Sequence, residues 1–162
     1  MTFKEKLSKD FIIFDGAMGT MLQAKGLGKD ALPETYNVTH PEIIEAIHRE
    51  YLEAGADVIS TNTFGANLLK YSNTELKEVI DSAISCAQKA CSDFSDKYIA
   101  LDIGPLGRLL APFGDLSFEE AYEIFSETIR LAENRTDLII IETMNDSFET
   151  KAALLAAKET ST

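Results

Sequence analysis

The stretch Phe11-Ile-Ile-Phe-Asp-Gly-Ala-Met-Gly-Thr20 begins as a β-strand and then breaks its own pattern. Four apolar residues run into Asp15, after which Gly16 and Gly19 bracket Ala17 and Met18. A run of this kind, apolar on both faces, reads as a parallel strand buried between layers. The carboxylate and the paired glycines at its end read as a turn whose bare backbone can approach a small charged ligand.

The same grammar recurs downstream. Short branched runs stand at 57–61 (DVIST), 98–101 (YIAL) and 138–141 (LIII), about forty residues apart. Amphipathic segments at 41–54, 74–94, 117–133 and 146–159 follow or separate them and predict helices. Thr39 with Glu42, Ser72 with Glu75 and Ser117 with Glu120 fit the Ser/Thr-x-x-Glu capping box, and Asp146 with Glu149 is its Asp variant. Pro41 suits a first helical turn, where its missing N–H has no partner to lose. The repeat predicts an α/β fold with a parallel sheet, closed either as an open doubly wound sheet or as part of a (β/α)8 barrel.

The strand ends favour the barrel. Every predicted strand ends in a polar residue, Asp15, Asn62, Asp102 and Glu142 in turn, and a barrel gathers such positions around one mouth. A complete barrel takes about 250 residues, whereas this chain has 162. The expectation is a half-barrel of four βα units, a piece of a longer domain or a half that pairs with another.

Composition narrows the partners. With 27 acidic against 15 basic residues the formal net charge is −12, which argues against nucleic acid and anionic membrane surfaces. No apolar run approaches a membrane span, and the mixed-charge start MTFKEKLSKD predicts a cytoplasmic protein. Cys86 and Cys91 would lie about 140° apart on a helix, a poor arrangement for one metal. His40 and His48 read as structural, and Phe118, Tyr122 and Phe125 as core.

Three loops carry chemistry. Asp15 to Thr20 offers backbone N–H groups to a carboxylate. The stretch 60–66 (STNTFGA) adds neutral hydrogen bonds from Asn62 and Thr63 and an apolar wall from Phe64. Glu142, after four apolar residues, needs water, a partner or a cation, and an ammonium group suits it. Together they describe a site for a zwitterion, an amino acid. A different enzyme class stays open at this level: Asp15, Asp102 and Glu142 holding Mg²⁺, as in barrel lyases or aldolases. So does a non-catalytic, self-associating half-barrel.

The motifs DGAMGT, NVTHPEIIEAIHREYLEAGADVISTNTFGA, DIGPLGRLLAPFGDLSFEEAY and IIIETMNDSFETKAALLAAKE, in this order over nearly the whole chain, resemble the homocysteine S-methyltransferase domain. The likeness is strongest to the N-terminal homocysteine-binding module of cobalamin-dependent methionine synthases, with betaine–homocysteine methyltransferase more distant. The resemblance implies a zinc-dependent (β/α)8 barrel that transfers a methyl group to the homocysteine thiol and yields methionine. It assigns the amino-acid end of homocysteine to Asp15, Gly16, Ala17, Met18, Gly19 and Thr20 and to Glu142, with Asn62 and Thr63 beside the substrate. The family's zinc cysteines follow its sixth and eighth strands, which places them beyond Thr162; Cys86 and Cys91 do not match them. The resemblance further implies a methyl donor, methylcobalamin or a methyl-folate, held by other domains. The expected partners are homocysteine and either the C-terminal half of the barrel or a second copy. Methyl transfer by residues 1–162 alone is not expected.

Overall fold

The computed structural model describes residues 2–28 and 30–160. Three of the expected strands, β1 (Val58–Ser60), β2 (Tyr98–Ile103) and β3 (Leu138–Ile141), form a parallel sheet in that order. Val58 stands opposite Tyr98, and Ala100 opposite Leu138. The principal helices are α4 (Pro41–Glu53), α5 (Asn73–Cys91), α6 (Phe118–Ala132) and α7 (Ser147–Thr160), each within a few residues of its predicted span. Ahead of α4 lie pieces the periodicity does not predict: α1 (Phe3–Leu7), α2 (Met18–Ala24), a 3₁₀ turn at Pro33–Thr35 and α3 (Tyr36–Thr39). Each is shorter than the two turns over which an apolar stripe becomes readable.

Two of the four caps form as expected. Ser72 and Glu75 exchange bonds at the start of α5, and Ser117 and Glu120 do so at α6. The other two differ. The residue before α4 is His40, and the Thr39 hydroxyl bonds Thr35 O instead, because Thr39 belongs to the preceding turn α3. Asp146 does cap α7, accepting from Phe148 N at 2.7 Å, but Glu149 turns inward to accept from Leu106 N at 2.7 Å. That bond fastens α7 to the loop after β2.

The main core fills the space between the sheet and α5, α6 and α7, with Leu76, Ile80, Leu101, Ile103, Phe125 and Ile129 buried in it. Ala152, Ala153 and Ala156 are fully buried, which lets α7 lie close against its neighbours. Phe125 is core as predicted, while Phe118 and Tyr122 are half-buried at its edge. Below the sheet, the Phe3 ring meets Tyr98 edge-on and Lys6 pairs with Asp57, so α1 closes the N-terminal ends of β1 and β2.

The first predicted strand is the main departure. Only Phe14 bridges to Val58, and Phe11 and Ile13 are 90% and 59% exposed. The segment runs parallel to β1, with Val58 N bonded to Ile13 O and Asp15 N to Val58 O. Among the described residues it has a neighbour on one side only, so its apolar run does not translate into burial.

His48 is structural in position but carries a cost. It is fully buried in α4 and neither ring nitrogen has a hydrogen-bond partner. Burial holds its pKa down to about 4, against 6.5 for a free imidazole. The folded state therefore binds fewer protons than the unfolded chain between these values, and stability falls as pH drops from 6.5 towards 4. His48→Leu is expected to raise the melting temperature by several degrees, since an unpartnered buried polar group costs about 1–3 kcal/mol. It should also flatten the loss between pH 6.5 and 4; thermal melts across that range check both.

Candidate functional site

The C-terminal ends of the 11–14 segment and of all three strands open on one cavity of about 550 Å³. Its polar lining includes Asp15, Glu34, Ser60, Asn62, Asp102 and Glu142. Phe14, Phe64 and Ile140 supply apolar wall, and the main chain of Gly16 to Gly19 closes one side. A space of this size suits a small organic ligand.

Asp15 is held rather than free. Its two carboxylate oxygens accept from Ser60 N at 2.8 Å and Ser60 Oγ at 2.9 Å, which ties the first segment to β1. Burial, only partly offset by these bonds, pushes its pKa up to about 6. The next residue packs closely: a Cβ on Gly16 would stand 2.9 Å from the Tyr51 hydroxyl and would push that side chain aside. That hydroxyl in turn donates to Ala17 O at 3.1 Å, clasping the turn against α4. The helix α2 starts straight after it with no side-chain cap, so the first-turn N–H groups lack an intrahelical partner.

The second loop is built for rigidity. Asn62 Nδ2 donates to Pro33 O and to Asn37 Oδ1, both at 2.9 Å. The Thr63 hydroxyl donates to Asp102 O at 2.8 Å and is buried behind the cavity instead of lining it. Thr20 is also outside the lining; its hydroxyl faces Ala17 O. Of the nine residues expected beside the substrate, Asp15 to Gly19, Asn62 and Glu142 thus meet at the cavity, and Thr20 and Thr63 do not.

Glu34 is a lining residue that the sequence does not single out. It is 3% exposed, and its carboxylate accepts from Gly65 N at 2.6 Å and from the Tyr71 hydroxyl at 3.3 Å. An acidic residue one step after a proline in a polar loop gives no sign of burial, because its partners lie over thirty residues away.

Glu142 sits at the end of β3, exposed to the cavity, its N–H fixed by Ile103 O at 3.0 Å. Thr143 follows at φ 56°, a left-handed conformation that a β-branched residue rarely adopts, and its hydroxyl donates to Glu142 Oε2 at 3.0 Å. Asp102, at the end of β2, is 8% exposed. Burial first, and then the Glu142 carboxylate beside it, push its pKa up to about 8. The mouth is therefore acidic in composition but retains a proton at neutral pH.

Among the described residues no three His, Cys, Asp or Glu side chains are grouped to hold a metal ion. Cys86 is buried with its thiol towards Pro41 O, Cys91 is half-buried on α5, and burial pushes both thiols up to about 11. They do not line the cavity. No helix among the described residues is long and apolar enough to cross a membrane.

Residues 12–162 match the family model described as homocysteine S-methyltransferase. Methionine synthase of Mycobacterium tuberculosis (strain ATCC 25618 / H37Rv) is 30% identical over 96% of this chain. That of Mycobacterium leprae (strain TN) is 30% identical over 98%. The chain spans 14% of the length of each of these relatives. Among solved structures, the metallated form of the homocysteine methyltransferase MmuM from Escherichia coli superposes with a TM-score of 0.79 at 24% identity. That match covers 96% of this chain and 62% of the other. The oxidized form gives a TM-score of 0.80 at 23% identity, covering 98% and 62%.

Proposed function

The chain belongs to the homocysteine S-methyltransferase family, and from that premise we propose that its cavity binds the amino-acid end of homocysteine. The observation that carries this reading is that Glu142 and the main chain of Gly16 to Gly19 line the same cavity. The carboxylate of Glu142 receives the ammonium group, and the N–H groups of the first turn of α2, which has no side-chain cap, receive the α-carboxylate. Asp15 and Asn62 are the frame of this site, the first through Ser60 and the second through Pro33 and Asn37.

In this reading residues 1–162 are the N-terminal half of a (β/α)8 barrel, open along the 11–14 segment and along β3. The C-terminal half, or a second copy, covers those edges. The protein is cytoplasmic, and the methyl donor, methylcobalamin or a methyl-folate, is carried by other domains. Zinc in the family activates the thiol. The cysteines and acidic groups of the described residues do not fit it, and no methyl transfer is expected from this polypeptide alone.

Calorimetric titration of residues 1–162 tests the reading. Homocysteine should bind in zinc-free buffer, whereas 4-mercaptobutyrate, which lacks the amine, and 3-aminopropanethiol, which lacks the carboxylate, should bind at least tenfold more weakly, one charged hydrogen-bonded contact being worth about 1.5–3 kcal/mol. Equal affinity for all three sinks the zwitterion site. Tight 1:1 zinc binding overturns the account of the metal.

A further inference from the structure

Asp102 is fixed from both sides and yet unsatisfied at its tip. Its N–H donates to Thr61 Oγ1 at 3.2 Å, its carbonyl accepts from Thr63 Oγ1 at 2.8 Å, and the two threonine hydroxyls are joined at 2.7 Å. This clamp from the β1 loop fixes the main chain from which the side chain extends. The residue is more than nine-tenths buried, it lines the cavity, and Oδ1 has no hydrogen-bond partner. The Glu142 carboxylate lines the same cavity and raises the proton affinity of Asp102, and two such acceptors can bond each other only if one keeps a proton. A buried oxygen without a partner costs free energy, so it needs a reason to be there.

Resting on the homocysteine reading above, we infer that Asp102 is a ligand-binding residue that exchanges its proton for the ligand's ammonium group. In the ligand-free protein the Asp102 O–H bonds Glu142 and holds that carboxylate at the cavity. When the ammonium enters, the Asp102 O–H bond breaks and the proton passes to solvent. The freed carboxylate then accepts a second ammonium N–H alongside Glu142. One positive charge leaves this end of the cavity as one arrives, so the exchange adds no net charge among the acidic side chains that surround Asp102. The groups facing Asp102 are Glu142 from β3, Asp15 from the first segment and Glu34 from the 3₁₀ turn, all acidic. Each raises its proton affinity, and a bound cation opposes all three.

The sign follows. Ammonium binding favours ionised Asp102, so affinity rises with pH as that proton is lost, by about fivefold between pH 6 and 8 if binding lowers the titration by one unit. Carbon-13 NMR of the side-chain carboxyls of residues 1–162 reads this directly, with Asp102→Asn identifying the resonance. The expected result is titration near 8 without ligand and at least one unit lower with saturating homocysteine. Asp102→Asn should lose the rise in homocysteine affinity between pH 6 and 8, whatever its affinity at pH 6. An ordinary carboxylate titration without ligand overturns the inference, whatever homocysteine does. So does an unmoved Asp102 while the Gly16 to Gly19 amides report binding; in that case the homocysteine reading stands. If neither those amides nor Glu142 respond to homocysteine, that reading fails and the exchange falls with it.

Discussion

Glu142→Gln is expected to weaken homocysteine binding by about ten- to a hundredfold while leaving the fold intact, since a hydrogen bond to a charged group is worth about 1.5–3 kcal/mol. The amide keeps the volume of the side chain and an acceptor oxygen but removes the charge that faces the ammonium. Stability should change little, because Glu142 is exposed and its structural bond to Ile103 O is made by its main chain. The same variant lowers the titration of Asp102, whose pKa near 8 depends in part on the Glu142 charge. Calorimetry with homocysteine and with 4-mercaptobutyrate separates the two ends of the site. The amine-free compound should bind wild type and variant alike. Equal loss for both compounds would mean that Glu142 shapes the cavity rather than pairing with an ammonium.

The frame of this site is legible in the sequence because it rests on local rules. Each predicted strand ends in a polar residue, Asp15, Asn62, Asp102 or Glu142, and a parallel arrangement puts such ends on one side. The caps at Ser72 and Ser117 are legible for the same reason, since their partners lie three residues on. What escapes depends on contacts distant in the chain. Glu149 matches a capping pattern, but Leu106 N offers its carboxylate a buried donor. Thr63 sits in the right motif, yet its hydroxyl completes the clamp on Asp102 instead of facing the cavity. The run at 11–14 has the composition of a buried strand, and composition is silent on whether a neighbour lies on each side.

Gly104→Ala is expected to damage both fold and site, costing about 3 kcal/mol, the upper end for forcing atoms into a packed space. A Cβ there would lie 2.6 Å from the Phe64 ring and 2.7 Å from the Phe64 carbonyl oxygen. The ring can turn aside, but the carbonyl accepts from Gly104 N at 3.0 Å and belongs to the loop that carries Asn62 and Thr63. Moving it loosens the clamp on Asp102 and displaces a wall of the cavity at once. For a chain of this length the melting temperature should drop by about 6–12 °C, with homocysteine affinity falling alongside. Gly19→Ala supplies the contrast. Gly19 lies in α2, a Cβ added to it would meet no atom within 4 Å, and its backbone is not left-handed. Alanine there should leave the melt unchanged or raise it, helix propensity favouring alanine by up to about 1 kcal/mol. If both variants melt like wild type, the close approach of Phe64 to the end of β2 is not a feature of the folded protein. If Gly104→Ala alone is destabilised, that contact is what holds the second loop over the cavity.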